Sequence, residues 1–221
     1  MDLSQSTLAE LASSLPAAAR VFRRHALDFC CRGGRTLAEA CAARALDPSA
    51  VAAEIERESA AATEPSERWA ERPLEELVNH ILDRFHEPLR PELARLVELA
   101  RKVERVHGDK PSCPRGLADH LAATADDLEA HLMKEEQVLF PLILRGGGRS
   151  AGMPIRIMTL EHEGHGDALR RTRELTGDLV PPPEACASWK ALYLGLEQLE
   201  ADLFEHIHLE NNVLFPRALR A

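Results

Sequence analysis

The stretch HLMKEEQVLFP at residues 131–141 returns as HIHLENNVLFP at residues 206–216, 75 positions later. Both copies open with histidine, carry glutamate four residues on and close with Val-Leu-Phe-Pro, which marks an internal duplication. Upstream of each lies a weaker echo, His86-Glu87 and His162-Glu163, 76 positions apart. Each half of the repeat therefore reads as a helix with one histidine, then a helix with His-x-x-x-Glu.

Residues at i and i+4 leave one helix face with Cβ atoms about 5–6 Å apart, so His131 with Glu135, and His206 with Glu210, can hold one ion together. The apolar residues that follow, Val138, Leu139, Phe140 and Leu142 in one copy and Val213, Leu214, Phe215 and Leu219 in the other, imply buried helices. A carboxylate at that depth needs compensation. Six ligands, His86, His131, Glu135, His162, His206 and Glu210, exceed one tetrahedral zinc and suit two first-row ions, with Glu135 and Glu210 bridging. Two divalent ions against two carboxylates leave positive charge that an oxo or hydroxo bridge would offset. A single His-x-x-x-Glu is common on charged helices; its recurrence, each time after a lone helical histidine, is what points to metal.

Outward from the repeat, residues 74–107, 114–145, 153–177 and 185–219 read as four long helices. The connections carry breakers: Gly108 to Pro114, Gly146-Gly147-Gly148 and Pro181-Pro182-Pro183. The expectation is an all-α protein with an up-down-up-down four-helix bundle about 40 Å long over residues 74–221. Pro88 and Pro91 follow His86 and are expected to kink or break that helix. Residues 1–57 read as short helices, with Leu8, Leu11 and Leu15 on one face and a break at Gly33-Gly34 before Thr36-Leu37-Ala38-Glu39. Residues 58–73, rich in charge, small residues and proline, read as a linker that Trp69 can dock locally.

The chain has 221 residues, 45% hydrophobic and 4% aromatic. That suffices for one sizeable core and a smaller domain, and the Ala, Leu, Glu and Arg excess favours helix. A net charge of -9 gives no general attraction to phosphate backbones or anionic lipid, so neither nucleic acid nor membrane is an expected partner. The start has no basic n-region, and no run of 18 apolar residues occurs, so a cytoplasmic location is expected. Five scattered cysteines do not have the spacing of a secreted disulfide framework.

The vicinal pair Cys30-Cys31 reads in two ways. The thiols are reactive, for redox exchange, transient iron binding or nitric oxide capture, or they are small buried apolar groups. Cys41, Cys113 and Cys186 read as structural. His80, His107, His120, His165 and His208 have no repeated partner and read as solvent-facing or ordinary core residues. Glu161, Asp127 and Glu129 lie near ligand positions and can orient an imidazole, although a solvated helix face accounts for each as well.

Leu27-Asp28-Phe29-Cys30-Cys31 with Gly33-Gly34, Lys102-Val-Glu-Arg-Val-His107, His131-x-x-x-Glu135 and Glu210-Asn-Asn-Val-Leu-Phe-Pro216 occur together. In this combination the chain resembles the Ric (YtfE/ScdA) family of iron-sulfur cluster repair di-iron proteins, over essentially its whole length. The resemblance implies a small N-terminal domain bearing the cysteine pair and a hemerythrin-like bundle with two non-haem iron ions. The six ligands it implies are those the repeat selects. The prolines after His86 and the arginine of Cys31-Arg32-Gly33 depart from the family pattern.

The same resemblance implies repair of iron-sulfur clusters damaged by oxidative or nitrosative stress, by supply of iron, with damaged iron-sulfur proteins as clients. Cys30 and Cys31 would pass iron or electrons. Two alternatives stand beside it: an enzyme reducing nitric oxide or nitrite at the di-iron centre, and a sensor that binds O2 or NO reversibly. The resemblance also allows a homodimer. Ligand type alone accepts iron, manganese or zinc.

Overall fold

The computed structural model describes residues 3–30, 32–61 and 69–220, and every regular element among them is helical. These residues fall into two compact units, residues 3–78 together with 204–220, and Asn79–Leu203. No helix among them is long and apolar enough to cross a membrane.

In the first unit, α1 (Leu8–Ser14), α2 (Pro16–Arg24), α3 (Leu37–Ala42) and α4 (Pro48–Ala61) surround a core of Leu8, Leu11, Val21, Phe22, Phe29, Leu37, Cys41 and Ile55. Burying each large apolar side chain contributes about 1.5–3 kcal/mol. Two capping boxes start α1 and α3. Thr7 Oγ1 accepts from the Glu10 amide at 3.2 Å while Glu10 Oε2 accepts from the Thr7 amide at 3.0 Å. Thr36 and Glu39 repeat this at 3.2 and 2.9 Å. These backbone hydrogen bonds hold both carboxyls below their ordinary range. The two caps pair through an isolated antiparallel bridge between Thr7 and Thr36. The C-terminal end of α10 (Ala187–Leu209) contributes Phe204 to this core, its ring stacked on Phe29 at 5.9 Å. α4 runs to Ala61, four residues beyond the limit at 57 read from the sequence. Trp69 and Arg72 are tied by their carbonyls to Arg217, at 2.7 and 2.6 Å.

The second unit holds most of the expected bundle. Its helices are α6 (Glu87–His107), α7 (Leu117–Lys134), α9 (Gly152–Thr176) and most of α10 (Ala187–Leu209), with α8 (Phe140–Leu144) extending α7 and the last three residues of α5 (Leu74–Ile81) leading toward α6. Leu96, Ala100, Leu117, Leu121, Leu128, Trp189, Leu192 and Leu196 fill the interior. α10 approaches α6 closely at Gly195, where a Cβ would stand 2.6 Å from Leu96 Cδ2. Arg173 and Glu200 add a two-bond ion pair at 2.7 and 2.5 Å.

Among the described residues three π-turns interrupt the helices: Leu82–His86, Glu135–Leu139 and Glu210–Leu214. In each, the amide of the next residue reaches the carbonyl five back: Glu87 to Leu82, Phe140 to Glu135, Phe215 to Glu210. A proline is the second residue after each turn, at 88, 141 and 216. Proline brings no amide and its ring collides with the carbonyl four residues back, so a widened turn just before it relieves both problems. Pro88 thus widens the helix without breaking it, and Pro91 lies inside α6. The sequence reading of continuous burial after each glutamate needs correction at two positions. Val138, on the outer side of its widened turn, is 56% exposed, and Leu219, after the last helix, is 45% exposed.

Candidate metal centre

The π-turns carry three of the six sequence-selected ligands. His86 is the last residue of the first turn, while Glu135 and Glu210 open the second and third. His131 and His206 lie in the final turns of α7 and α10, and His162 sits in the middle of α9. All six are buried, and both glutamates have 0% exposure.

Within the second unit, His86, His131, Glu135 and His162 converge. Glu135 Oε2 lies 3.6 Å from His86 Nε2 and 3.4 Å from His131 Nε2, and its other oxygen lies 3.9 Å from His162 Nε2. The Nε2 atoms of His131 and His162 are 3.1 Å apart. Ligands bound at about 2.1 Å on neighbouring vertices of a metal polyhedron are about 3.0–3.5 Å apart, so these spacings suit a cation among the atoms. In the first unit, His206 Nε2 and Glu210 Oε1 are 3.0 Å apart.

The outer ring nitrogens fix which atom each imidazole presents. His131 Nδ1 donates to Glu161 Oε2 at 2.8 Å, and His86 Nδ1 donates to Glu136 Oε1 at 2.9 Å. Carboxylates only accept, so in the neutral imidazole the proton sits on Nδ1 and Nε2 offers its lone pair toward Glu135. A lone pair aimed at a buried carboxylate is unfavourable until a cation lies between them. The residues present therefore fit bound metal, and the buried histidine and glutamate cluster is consistent with iron.

These supporting carboxylates were only partly visible in the sequence. Glu161 is not a merely solvated residue: besides His131 it pairs with Lys134. Glu129 binds Arg90 Nε at 2.7 Å, and Arg90 Nη2 reaches Glu136 at 3.0 and 3.2 Å, so an Arg90-Glu129 pair steadies the partner of His86. Glu136 and Arg90 escaped sequence reasoning. The one signal was that Glu136 follows a ligand while the second copy has Asn211 there. Asp127, Lys134, Glu161 and His165 line a cavity of about 310 Å³ between α7 and α9.

Among the unassigned histidines, His165 packs edge-on to His131, with ring centroids 4.6 Å apart. His120 Nε2 lies 3.0 Å from the Ala168 carbonyl and 3.1 Å from Thr172 Oγ1. His107 Nε2 is 3.2 Å from Cys186 Sγ. His208 is buried in the first unit, and that burial pushes its pKa down to about 4. Cys30 is buried there too, with its thiol 3.4 Å from Asp28 Oδ1. Cys31 lies outside the described residues. Cys41 and Cys113 are buried, which raises both thiols.

Residues 77–218 match the family described as Hemerythrin HHE cation binding domain, and residues 4–59 match the ScdA_N domain, a Domain of Unknown function (DUF542). Over 222 aligned positions, spanning 100% of this chain and 99% of the relative, the chain is 49% identical to the iron-sulfur cluster repair protein YtfE of Yersinia pseudotuberculosis. It is equally similar to the protein of that name from Yersinia pestis, strain Pestoides F. With both domains matched and half the residues shared from end to end, the chain belongs to the hemerythrin-like family of iron-sulfur cluster repair proteins that includes YtfE.

Proposed function

We propose that the protein repairs damaged iron-sulfur clusters and that His86, His131, Glu135, His162, His206 and Glu210 hold two iron ions for that purpose. One observation carries the reading. Within the second unit, Glu135 Oε2 lies 3.6 Å from His86 Nε2 and 3.4 Å from His131 Nε2, and its other oxygen lies 3.9 Å from His162 Nε2. In the first unit His206 and Glu210 repeat the same His-x-x-x-Glu pairing, with Nε2 and Oε1 3.0 Å apart. Iron bound there supplies a reserve that can be given up to a damaged cluster in a client protein.

The chain's own groups have separable tasks. Glu136 and Glu161 keep the Nδ1 protons of His86 and His131 in place, so that both Nε2 atoms face inward. The hydrocarbon around the cluster, including Phe140 beside the His86 ring at 5.6 Å, keeps bulk water from the ligands. The cavity beside Glu161 and Lys134 offers a polar approach to His131. Cys30 and Cys31 bind iron in transit.

The test is metal analysis of protein purified without air, beside a His131→Ala/His206→Ala variant, followed by reactivation of an enzyme whose cluster has been damaged. The expected result is about two irons per chain, with loss of both iron and reactivation in the variant. Full reactivation by a chain without bound iron would overturn the reading.

A further inference from the structure

Phe204, His208, Asn211 and Asn212 recur at helical spacing along α10 and its π-turn, and all four meet the segment Phe29–Cys30 or its neighbours. Phe29 lies 5.9 Å from the Phe204 ring and 5.5 Å from the His208 ring. Asn211 Nδ2 donates to the Cys30 carbonyl at 3.2 Å. Asn212 Nδ2 donates to the carbonyls of Phe29 and Cys30 at 3.4 and 3.5 Å, and to His208 Nδ1 at 3.1 Å. With Nδ1 accepting, His208 carries its proton on Nε2 and donates it to Ser13 Oγ at 3.4 Å.

Two further observations make this a built contact. A Cβ at Gly33 would stand 2.5 Å from the Phe29 carbonyl and 3.1 Å from Asn212 Oδ1, so the chain after the cysteines passes Asn212 only because residue 33 has no side chain. The first copy of the repeat has Glu129, Met133, Glu136 and Gln137 in place of Phe204, His208, Asn211 and Asn212. There Met133 is exposed, and the two glutamates serve Arg90 and His86. The copies thus keep the ligands and differ on the face that holds the thiol segment.

We propose that Asn211 and Asn212 are positioning residues that fasten the backbone of Cys30 to the turn opening with Glu210, linking metal occupancy at Glu210 to exposure of the Cys30 thiol. The amide donors come from the two residues directly after Glu210. A change in the set of that turn on metal binding or loss moves the anchors of Cys30, and the dependence is reciprocal. The linkage rests on the proposed role of Glu210 as an iron ligand. The fastening rests on the hydrogen bonds alone.

The full chain is alkylated with iodoacetamide, with and without prior iron removal by a chelator, and the rate at Cys30 is read by peptide mass mapping. Buried Cys113 serves as the internal reference for opening of the whole fold. In the unaltered chain, iron removal is expected to raise the Cys30 rate about fivefold or more. The Asn211→Ala/Asn212→Ala variant is expected to react fast with iron bound, to show a ratio near one, and to keep its iron content. Asn212→Asp, which preserves shape but cannot donate to a carbonyl, is expected to move the same way if the double variant folds poorly. An unchanged Cys30 rate in these variants, or an equal rise at Cys113, overturns the fastening. A chain that binds no iron overturns the ligand reading and the linkage, while the variants still decide the fastening.

Discussion

Glu161 accepts a hydrogen bond from His131 Nδ1 at 2.8 Å across two helices, and in doing so settles which nitrogen His131 turns toward Glu135. Glu136 does the same for His86 from the residue next to Glu135. The two supports differ in surroundings, since Glu136 is held by Arg90, and Glu161 borders a cavity with exposed Lys134 as its partner.

Glu161→Ala and Glu136→Ala are each expected to lower iron affinity by about 10–100-fold, measured by chelator competition, with helix content unchanged. Asp127→Ala, which removes a cavity-lining carboxylate with no ligand imidazole to orient, is the control. Affinity equal to that of the unaltered chain in both glutamate variants would show that water anchors the two Nδ1 atoms equally well.

Pro141→Ala tests the π-turn. An alanine amide at 141 can reach the Gln137 carbonyl, which draws the turn toward ordinary α-helical bonding and rotates Glu135 relative to Phe140. Iron retention is expected to fall while circular dichroism stays the same, and hydrogen exchange at residue 141 should report the new bond. Undiminished retention would mean that tertiary packing alone keeps the turn wide.

The two capping boxes predict a pH dependence in the N-terminal core. Folded, Glu10 and Glu39 titrate below 4.5; unfolded, they titrate near it. Across that interval the unfolded chain binds more protons, so their contribution is full above 4.5 and is lost as pH falls through the lowered folded values. Reaction of Cys41 with a dipyridyl disulfide, referred to the urea-unfolded chain, should accelerate as pH drops below about 4.5. A Glu10→Gln/Glu39→Gln variant should respond less, and identical profiles would remove the caps from the account.

Gly195 of α10 sits close against α6, where a Cβ would stand 2.6 Å from Arg95 Nη2 and Leu96 Cδ2. Gly195→Val is expected to destabilise the protein by about 1–3 kcal/mol, read from urea denaturation. Gly34, with open space around it, gives the comparison: Gly34→Ala should change stability by less than about 0.5 kcal/mol.

By itself the sequence determined the helical class and singled out six buried histidine and glutamate positions. Both are local or repeated patterns: apolar spacing along each helix, and His-x-x-x-Glu written twice in Val-Leu-Phe-Pro surroundings. It also placed Thr36 and Glu39 at a helix start. Tertiary structure decided what each ligand leans on. Glu136 finds His86 from 50 residues away and Glu161 finds His131 from 30, pairings that helix packing alone creates. Pro88 was legible as a helix disturbance, yet only packed neighbours select a widened turn over a break there and before Pro141 and Pro216, because the freed carbonyls must still be satisfied. The hold of Asn211 and Asn212 on Cys30 bridges some 180 residues of chain, a distance over which periodicity carries no information about partners.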